Sequence, residues 1–212
     1  MNDVTLCFAA GFATAPNFMT EFGNELARRF VRLGLHPSVR HLFPYGDWSR
    51  SRWQQLAEIQ SDLAGGFFGR LRSTGGGRLA DMLQPENGTE GDRIILIGHS
   101  AGGMASVHAA GLLASSGDRR TISVVQIGSP KCPVPLGMRH SVLFVYAADR
   151  YGKRSDPVTR LGKWGRFAPA SVEGITIVGG HKDYFRNGSL FTDEQGRTNL
   201  DHVAECVWSW LQ

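Results

Sequence analysis

Arg93-Ile94-Ile95-Leu96-Ile97-Gly98-His99-Ser100-Ala101-Gly102-Gly103 is the stretch that decides how this chain folds. Four consecutive apolar residues, 94–97, predict a strand buried on both faces, as in a parallel sheet. They run into Gly-x-Ser-x-Gly at 98–102, and small residues then predict a helix over 101–113. Strand, sharp turn and helix is the setting in which this pentapeptide presents a serine hydroxyl above a sheet. The flanking glycines leave room for a strained turn against neighbouring strands. In a chain with 27 glycines the pentapeptide alone carries little. The strand before it and the helix after it make Ser100 a candidate nucleophile rather than an inert serine in a glycine-rich turn.

On either side of this turn the chain alternates strands and helices. Residues 4–9 read as a strand ending at Gly11. Phe18, Phe22, Leu26, Phe30 and Leu33 recur at helical spacing within 16–33. A short strand at 39–43 follows Pro37, and 51–63 reads as a helix. The glycine-rich stretch 65–91 is the hardest to assign, with a helix suggested at 79–83. Strands are expected at 122–127, 142–146 and 175–178, a long loop over 149–170, and a closing helix at 200–211. Such alternation implies a parallel sheet covered on both faces. With no internal repeat or linker, residues 1–212 read as one domain.

The bulk properties narrow the function. A net charge of +4 and a pI near 9.2 are mild, and the basic residues are not interleaved with aromatics in one stripe, so nucleic-acid binding is not indicated. Cys7, Cys132 and Cys206 form no Cys-x-x-Cys pair, which suggests neither a zinc site nor a disulfide framework. The first residues lack a signal-peptide pattern and no apolar run approaches the ~18 residues of a membrane span. A cytoplasmic setting is the expectation. There is no phosphate loop, no His-Glu-x-x-His and no dinucleotide fingerprint after the first strand, so no metal or organic cofactor is called for.

A serine nucleophile needs a base and a group that orients the base. In a parallel sheet these partners belong in loops beyond the carboxyl ends of later strands. An acid should follow strand 142–146 and a histidine strand 175–178. Asp149 and Asp156 compete for the first role. Asp149 comes directly after the strand, whereas Pro157 lends rigidity to Asp156. His181 and His202 compete for the second. His181 follows Gly179-Gly180 at the end of the last strand. Thr198-x-x-Asp201 reads as a helix-capping arrangement, which puts His202 in a first helical turn, where an imidazolium is disfavoured.

With these residues in order, Gly98-His99-Ser100-Ala101-Gly102 followed by an acid and a histidine resembles the α/β-hydrolase superfamily, and within it the lipase and esterase branch. The likeness in element order covers nearly the whole chain. Ile127-Gly128-Ser129-Pro130 resembles the Gly-Ser-Pro after the next strand of many lipases. Asp156-Pro157-Val158-Thr159-Arg160-Leu161 resembles the Asp-x-Val-Pro-Arg-Leu loop of a lipase class, which favours Asp156. Leu200-Asp201-His202-Val203 resembles the histidine segment of some lipases and keeps His202 in competition, although the family position after the last strand favours His181. The resemblance implies a mostly parallel sheet of about six strands with helices on both faces and no large cap domain.

It also implies an oxyanion hole. One backbone N–H should come from Ala101, the residue after the nucleophile. The other belongs to the loop after the first strand, at Phe12, although Ala10-Gly11 stands where the family often has His-Gly. His99 reads as a packing residue beside the nucleophile.

The expected activity is a serine esterase with the triad Ser100, Asp156 and His181, acting on a small-molecule or lipid-like ester. A thioesterase, a lactone- or amide-cleaving relative, and an inert scaffold used for binding are the alternatives. About fourteen residues separate 127 from 142, with Pro130, Pro133 and Pro135 among them, too short and rigid for a large lid. An open site for short-to-medium acyl groups follows, with Phe12, Phe18, Trp164 and Phe167 as candidate lining.

Overall fold

The computed structural model describes residues 4–11, 15–46, 58–60, 62, 73–84 and 92–212. Six strands form one all-parallel sheet: β1 (Val4–Ala9), β2 (Pro37–Leu42), β3 (Arg93–His99), β4 (Thr121–Ile127), β5 (Val142–Ala148) and β6 (Ser171–Thr176). Their order across the sheet is β2-β1-β3-β4-β5-β6. The apolar run 94–97 lies in the middle, hydrogen-bonded to β1 on one side and β4 on the other, and all four side chains are fully buried. A strand enclosed on every side has no polar face to alternate with, which is why its sequence is continuous rather than alternating.

Among the described residues, two long helices cover each face. On one, Phe22, Leu26 and Phe30 of α1 (Thr20–Arg32) and Val203 and Val207 of α4 (Asn199–Leu211) pack on Phe8, Ile95 and Ile97. The i, i+4 spacing of the three α1 residues puts them on one stripe, and Glu21 and Arg29 complement the helix dipole at its two ends. On the opposite face, α2 (Thr74–Met82) and α3 (Ala101–Ser115) pack on Cys7, Ile94, Leu96 and Val124. α3 is enclosed nearly all round, so small and apolar residues occupy almost every position and it has no polar stripe. The chain winds away from β1 in one direction through β2 and in the other through β3. The carboxyl ends of β1 and β3 therefore form the switch point where open α/β sheets bind ligands.

Three elements differ from the sequence expectation. Residues 75–77 lie inside α2, not in a loop before a helix at 79–83. The buried Asp62 carboxylate accepts the N–H groups of Thr74 (2.9 Å) and Gly75 (3.0 Å), and the Ser73 hydroxyl caps Gly76 N–H (3.0 Å). A Cβ at Gly75 would strike the Tyr45 ring, and one at Gly76 would strike His108 of α3. Close approach of α2 to its neighbours needs glycine here, and this contact outweighs a helix-propensity cost of about 1 kcal/mol per glycine.

The last strand begins at Ser171 rather than at 175. It is an edge strand with mostly exposed side chains, and Glu173 and Gly174 separate Val172 from Ile175, so its first half shows no apolar run. β2 begins at Pro37, a residue an edge strand tolerates at its first position. The helix expected over 51–63 lies largely outside the described residues, of which 58–60 and 62 are helical.

Beyond β4, no α-helix among the described residues covers the α2/α3 face. The connections 128–141 and 149–170 instead run side by side. Lys131 N–H donates to the Leu161 carbonyl and Val134 N–H to that of Phe167, both at 2.9 Å, while Trp164 sits edge-on against Phe144. Among the described residues no helix is long and apolar enough to cross a membrane.

Candidate active site

Ser100 occupies the single residue between β3 and α3, at φ 57° and ψ −131°. It is the one non-glycine residue with positive φ among the described residues. Such a conformation costs on the order of 1–3 kcal/mol and persists only where the surroundings over-determine it. Here Ser100 N–H donates to the Ile127 carbonyl (3.1 Å), and the Ser129 hydroxyl donates to the Ser100 carbonyl (2.7 Å). A Cβ at Gly102 would run into the Ala9 carbonyl, so the turn requires glycine there. The Gly-Ser-Pro after β4 thus holds the turn from the neighbouring strand.

His181 lies just beyond β6. Its Nε2 is 3.0 Å from Ser100 Oγ and its Nδ1 is 2.8 Å from Asp156 Oδ2. The partners assign the tautomer: Nδ1–H donates to the carboxylate and Nε2 accepts from the serine hydroxyl. Asp156 is the N-cap of a one-turn 3₁₀ helix, Pro157–Arg160, and its Oδ1 accepts Val158 N–H (2.9 Å). The buried Tyr184 hydroxyl donates to Asp156 Oδ2 (3.0 Å) and itself accepts Ala147 N–H (2.9 Å). Burial pushes the Asp156 carboxyl upward, but donors from His181, Val158 and Tyr184 outweigh it and hold the group below its ordinary range. Burial, with Asp156 beside it, raises the Tyr184 hydroxyl well above its ordinary value.

The competing residues are engaged elsewhere. Asp149 Oδ1 accepts the N–H groups of Tyr151 and Lys153, both at 2.9 Å, and closes a turn at the end of β5. His202 Nε2 pairs with Asp193 Oδ2 (2.8 Å) in the first turn of α4, beside the Thr198/Asp201 capping box. His99 is buried behind His181. Its Nε2–H donates to the His181 carbonyl (2.9 Å), and the two rings stack with centroids 4.7 Å apart. Burial, reinforced by His181, pushes the His99 imidazole down to about 3.

Ala101 opens α3 beside Ser100, and Gly11 lies close against both. Phe12 is outside the described residues. A cleft of about 470 Å³ opens between the start of α1 and the loop after His181, lined by Phe18, Glu21, Lys182, Phe185 and Arg186 among others. Phe18 also packs on His99 at 5.0 Å. Trp164 and Phe167, expected as acyl lining, belong to the paired connections: Trp164 packs on Phe144, and the Phe167 carbonyl bonds Val134. Among the described residues, no group of three or more histidines, cysteines and acids could hold a metal ion. Nothing in sequence pointed to Tyr184, because its relation to Asp156 and Ala147 exists only in three dimensions.

The sequence matches no protein-family model and no curated protein sequence. Solved structures do resemble it. RedJ, a thioesterase from the prodiginine biosynthetic pathway in Streptomyces coelicolor, is similar at a TM-score of 0.55 and 12% identity, over 99% of this chain and 86% of that one. RedJ with a PEG molecule in its active site is similar at 0.56 and 13%, over 99% and 94%. An acetyl xylan esterase is similar at 0.48 and 10%, again over 99% and 94%. The fold of this chain is that of the α/β hydrolases.

Proposed function

We propose that the chain is a serine hydrolase that cleaves carboxylic esters or thioesters through an acyl-enzyme on Ser100. The observation that carries this reading is the unbroken hydrogen-bonded chain Ser100–His181–Asp156, at 3.0 and 2.8 Å, on a strained serine turn. Ser100 Oγ attacks the substrate carbonyl carbon while His181 Nε2 takes its proton. Asp156 keeps Nδ1 protonated and stabilises the imidazolium. The oxyanion forms against the N–H of Ala101 and, by the family pattern, that of Phe12. Collapse expels the alcohol or thiol, which takes the proton from His181. Water, activated by the same histidine, then attacks the acyl carbon and releases the acid and Ser100.

The triad does not select the leaving group. RedJ is a thioesterase of the same fold, which makes thioesters the second substrate class to test. Only a short 3₁₀ helix, Leu136–Ser141, intervenes between β4 and β5, which suits monomeric substrates with short-to-medium acyl groups.

Labelling with a fluorophosphonate tests the reading directly. The unmodified protein should be labelled and Ser100→Ala should not, with hydrolysis of p-nitrophenyl esters and acyl-thioesters falling to background. Unchanged labelling of Ser100→Ala overturns the assignment. No labelling and no turnover by the unmodified protein favours a binding scaffold.

A further inference from the structure

The two extended connections, 128–141 and 149–170, carry eight of the 23 lysines and arginines and only two of the 19 acids. Fifteen basic and seventeen acidic residues remain elsewhere, so a chain of net charge +4 is slightly negative outside this surface. Both acids within it are already used: Asp156 by His181, Val158 and Tyr184, and Asp149 by the N–H groups of its own turn. Among the described residues none of the eight cations is in an ion pair, whereas Arg28, Arg29, Arg78, Arg120, Arg186 and Arg197 elsewhere all are.

Within this surface one tetrapeptide pattern occurs twice, ten residues apart. Arg150-Tyr151-Gly152-Lys153 and Arg160-Leu161-Gly162-Lys163 flank Asp156. Each glycine has positive φ, 76° and 68°, so each tetrapeptide turns sharply after its apolar residue. Tyr151 is 78% exposed and Leu161 52%. The first turn stands beyond the carboxyl edge of the sheet, because Arg154 returns to pair with Ala148 at the end of β5. The second is at the same edge, because Gly162 pairs with Lys131, which lies just past the end of β4. Ser100 opens at that edge too, one residue past β3. Two apolar tips, each between two cations, therefore stand on the rim of the candidate site.

A single apolar side chain at the apex of a turn forms no groove that could grip a peptide. It gains most from a surface with an anionic face and an apolar interior, where tyrosine sits at headgroup level and leucine deeper. We propose that this rim docks the protein on an anionic phospholipid surface, with Tyr151 and Leu161 seated among the headgroups and the flanking cations on the phosphates. Docking in this way turns the mouth of the site towards the bilayer. The proposal concerns binding and stands apart from the catalytic reading.

Sedimentation of the full chain with phosphatidylcholine vesicles, with and without phosphatidylglycerol, tests it. Binding should need phosphatidylglycerol and weaken at high salt. Each cation at such a surface is worth roughly fivefold in binding, so Lys153→Glu with Lys163→Glu should weaken binding by at least about tenfold. Tyr151→Ser with Leu161→Ser should weaken it as well. Both double variants should turn over a soluble ester and take up fluorophosphonate as the unmodified protein does, which separates docking from misfolding. Ser100→Ala should bind vesicles normally, so failure of the catalytic reading leaves this result untouched. No binding to phosphatidylglycerol vesicles, equal binding to neutral ones, or undiminished binding by either double variant overturns the proposal. So does binding to duplex DNA or polyglutamate without binding to vesicles.

Discussion

His99 lies almost flat on His181, with an interplanar angle of 29°, and donates its Nε2–H to the carbonyl of the same residue. One side chain thus holds both the ring and the backbone of the histidine that contacts Ser100. It does so from the position directly before Ser100, so the end of β3 carries the serine and also steadies its partner. Phe18, Phe185 and Tyr184 close round the His99 ring at 5.0, 5.5 and 5.7 Å. This wall excludes water and keeps His99 neutral.

A buried neutral imidazole gives the fold an acid sensitivity of defined sign. Unfolded, the group takes a proton below its ordinary value of 6.5; folded, it does so only near 3. Between these the unfolded state binds the extra proton, so stability falls with falling pH by about 1.4 kcal/mol per unit from this residue alone. Asp156, held below its ordinary 3.8, adds stability at neutral pH that is lost as pH falls through its folded value. Chemical denaturation across this range should show the slope, and His99→Gln should flatten it between 6.5 and 3. An unchanged slope in that variant refutes the attribution.

The two histidines should separate cleanly in kinetics. His181→Ala should lower kcat by about 10⁴-fold or more while the protein stays folded. His202→Ala, losing only its contact with Asp193, should turn over near-normally with a stability loss of about 1 kcal/mol. Steady-state rates on a soluble ester decide the matter; the reverse pattern would make α4 the source of the base.

Replacement of the acid tests the tautomer. Asp156→Asn should cost about 10⁴-fold in kcat by removing the acceptor for Nδ1–H, whereas Asp149→Asn keeps its turn and should leave the rate almost unchanged. Tyr184→Phe removes one donor to Asp156 and leaves Ala147 N–H without its acceptor. A stability loss of about 1–3 kcal/mol is expected from the unsatisfied amide. Its fall in kcat should be far smaller than that of Asp156→Asn. Equal rates for Asp156→Asn and the unmodified protein would remove Asp156 from the triad.

Residues 93–103 by themselves determined the central strand, the serine turn and the helix after it, because burial on both faces leaves an uninterrupted apolar run and the turn requires small residues at fixed spacing. The order Ser100, Asp156, His181 was legible for a related reason: parallel strands end at one edge, so loops distant in sequence converge there. Capping chemistry, being local, also identified the start of α4 correctly. What only the tertiary structure decided are relations between surfaces. Gly75 and Gly76 joined a helix because Tyr45, Asp62 and His108 came close to them. Packing decided which carboxylate meets His181: that of Asp156 does, while that of Asp149 closes its own turn. Tyr184, Ser129 and His99 took up supporting contacts that no local pattern encodes. Arg150, Lys153, Arg160 and Lys163 came to one edge of the sheet because the connections after β4 and β5 pair side by side. Local spacing specifies what a segment can become; which side chains meet is set by the packing of segments far apart in sequence.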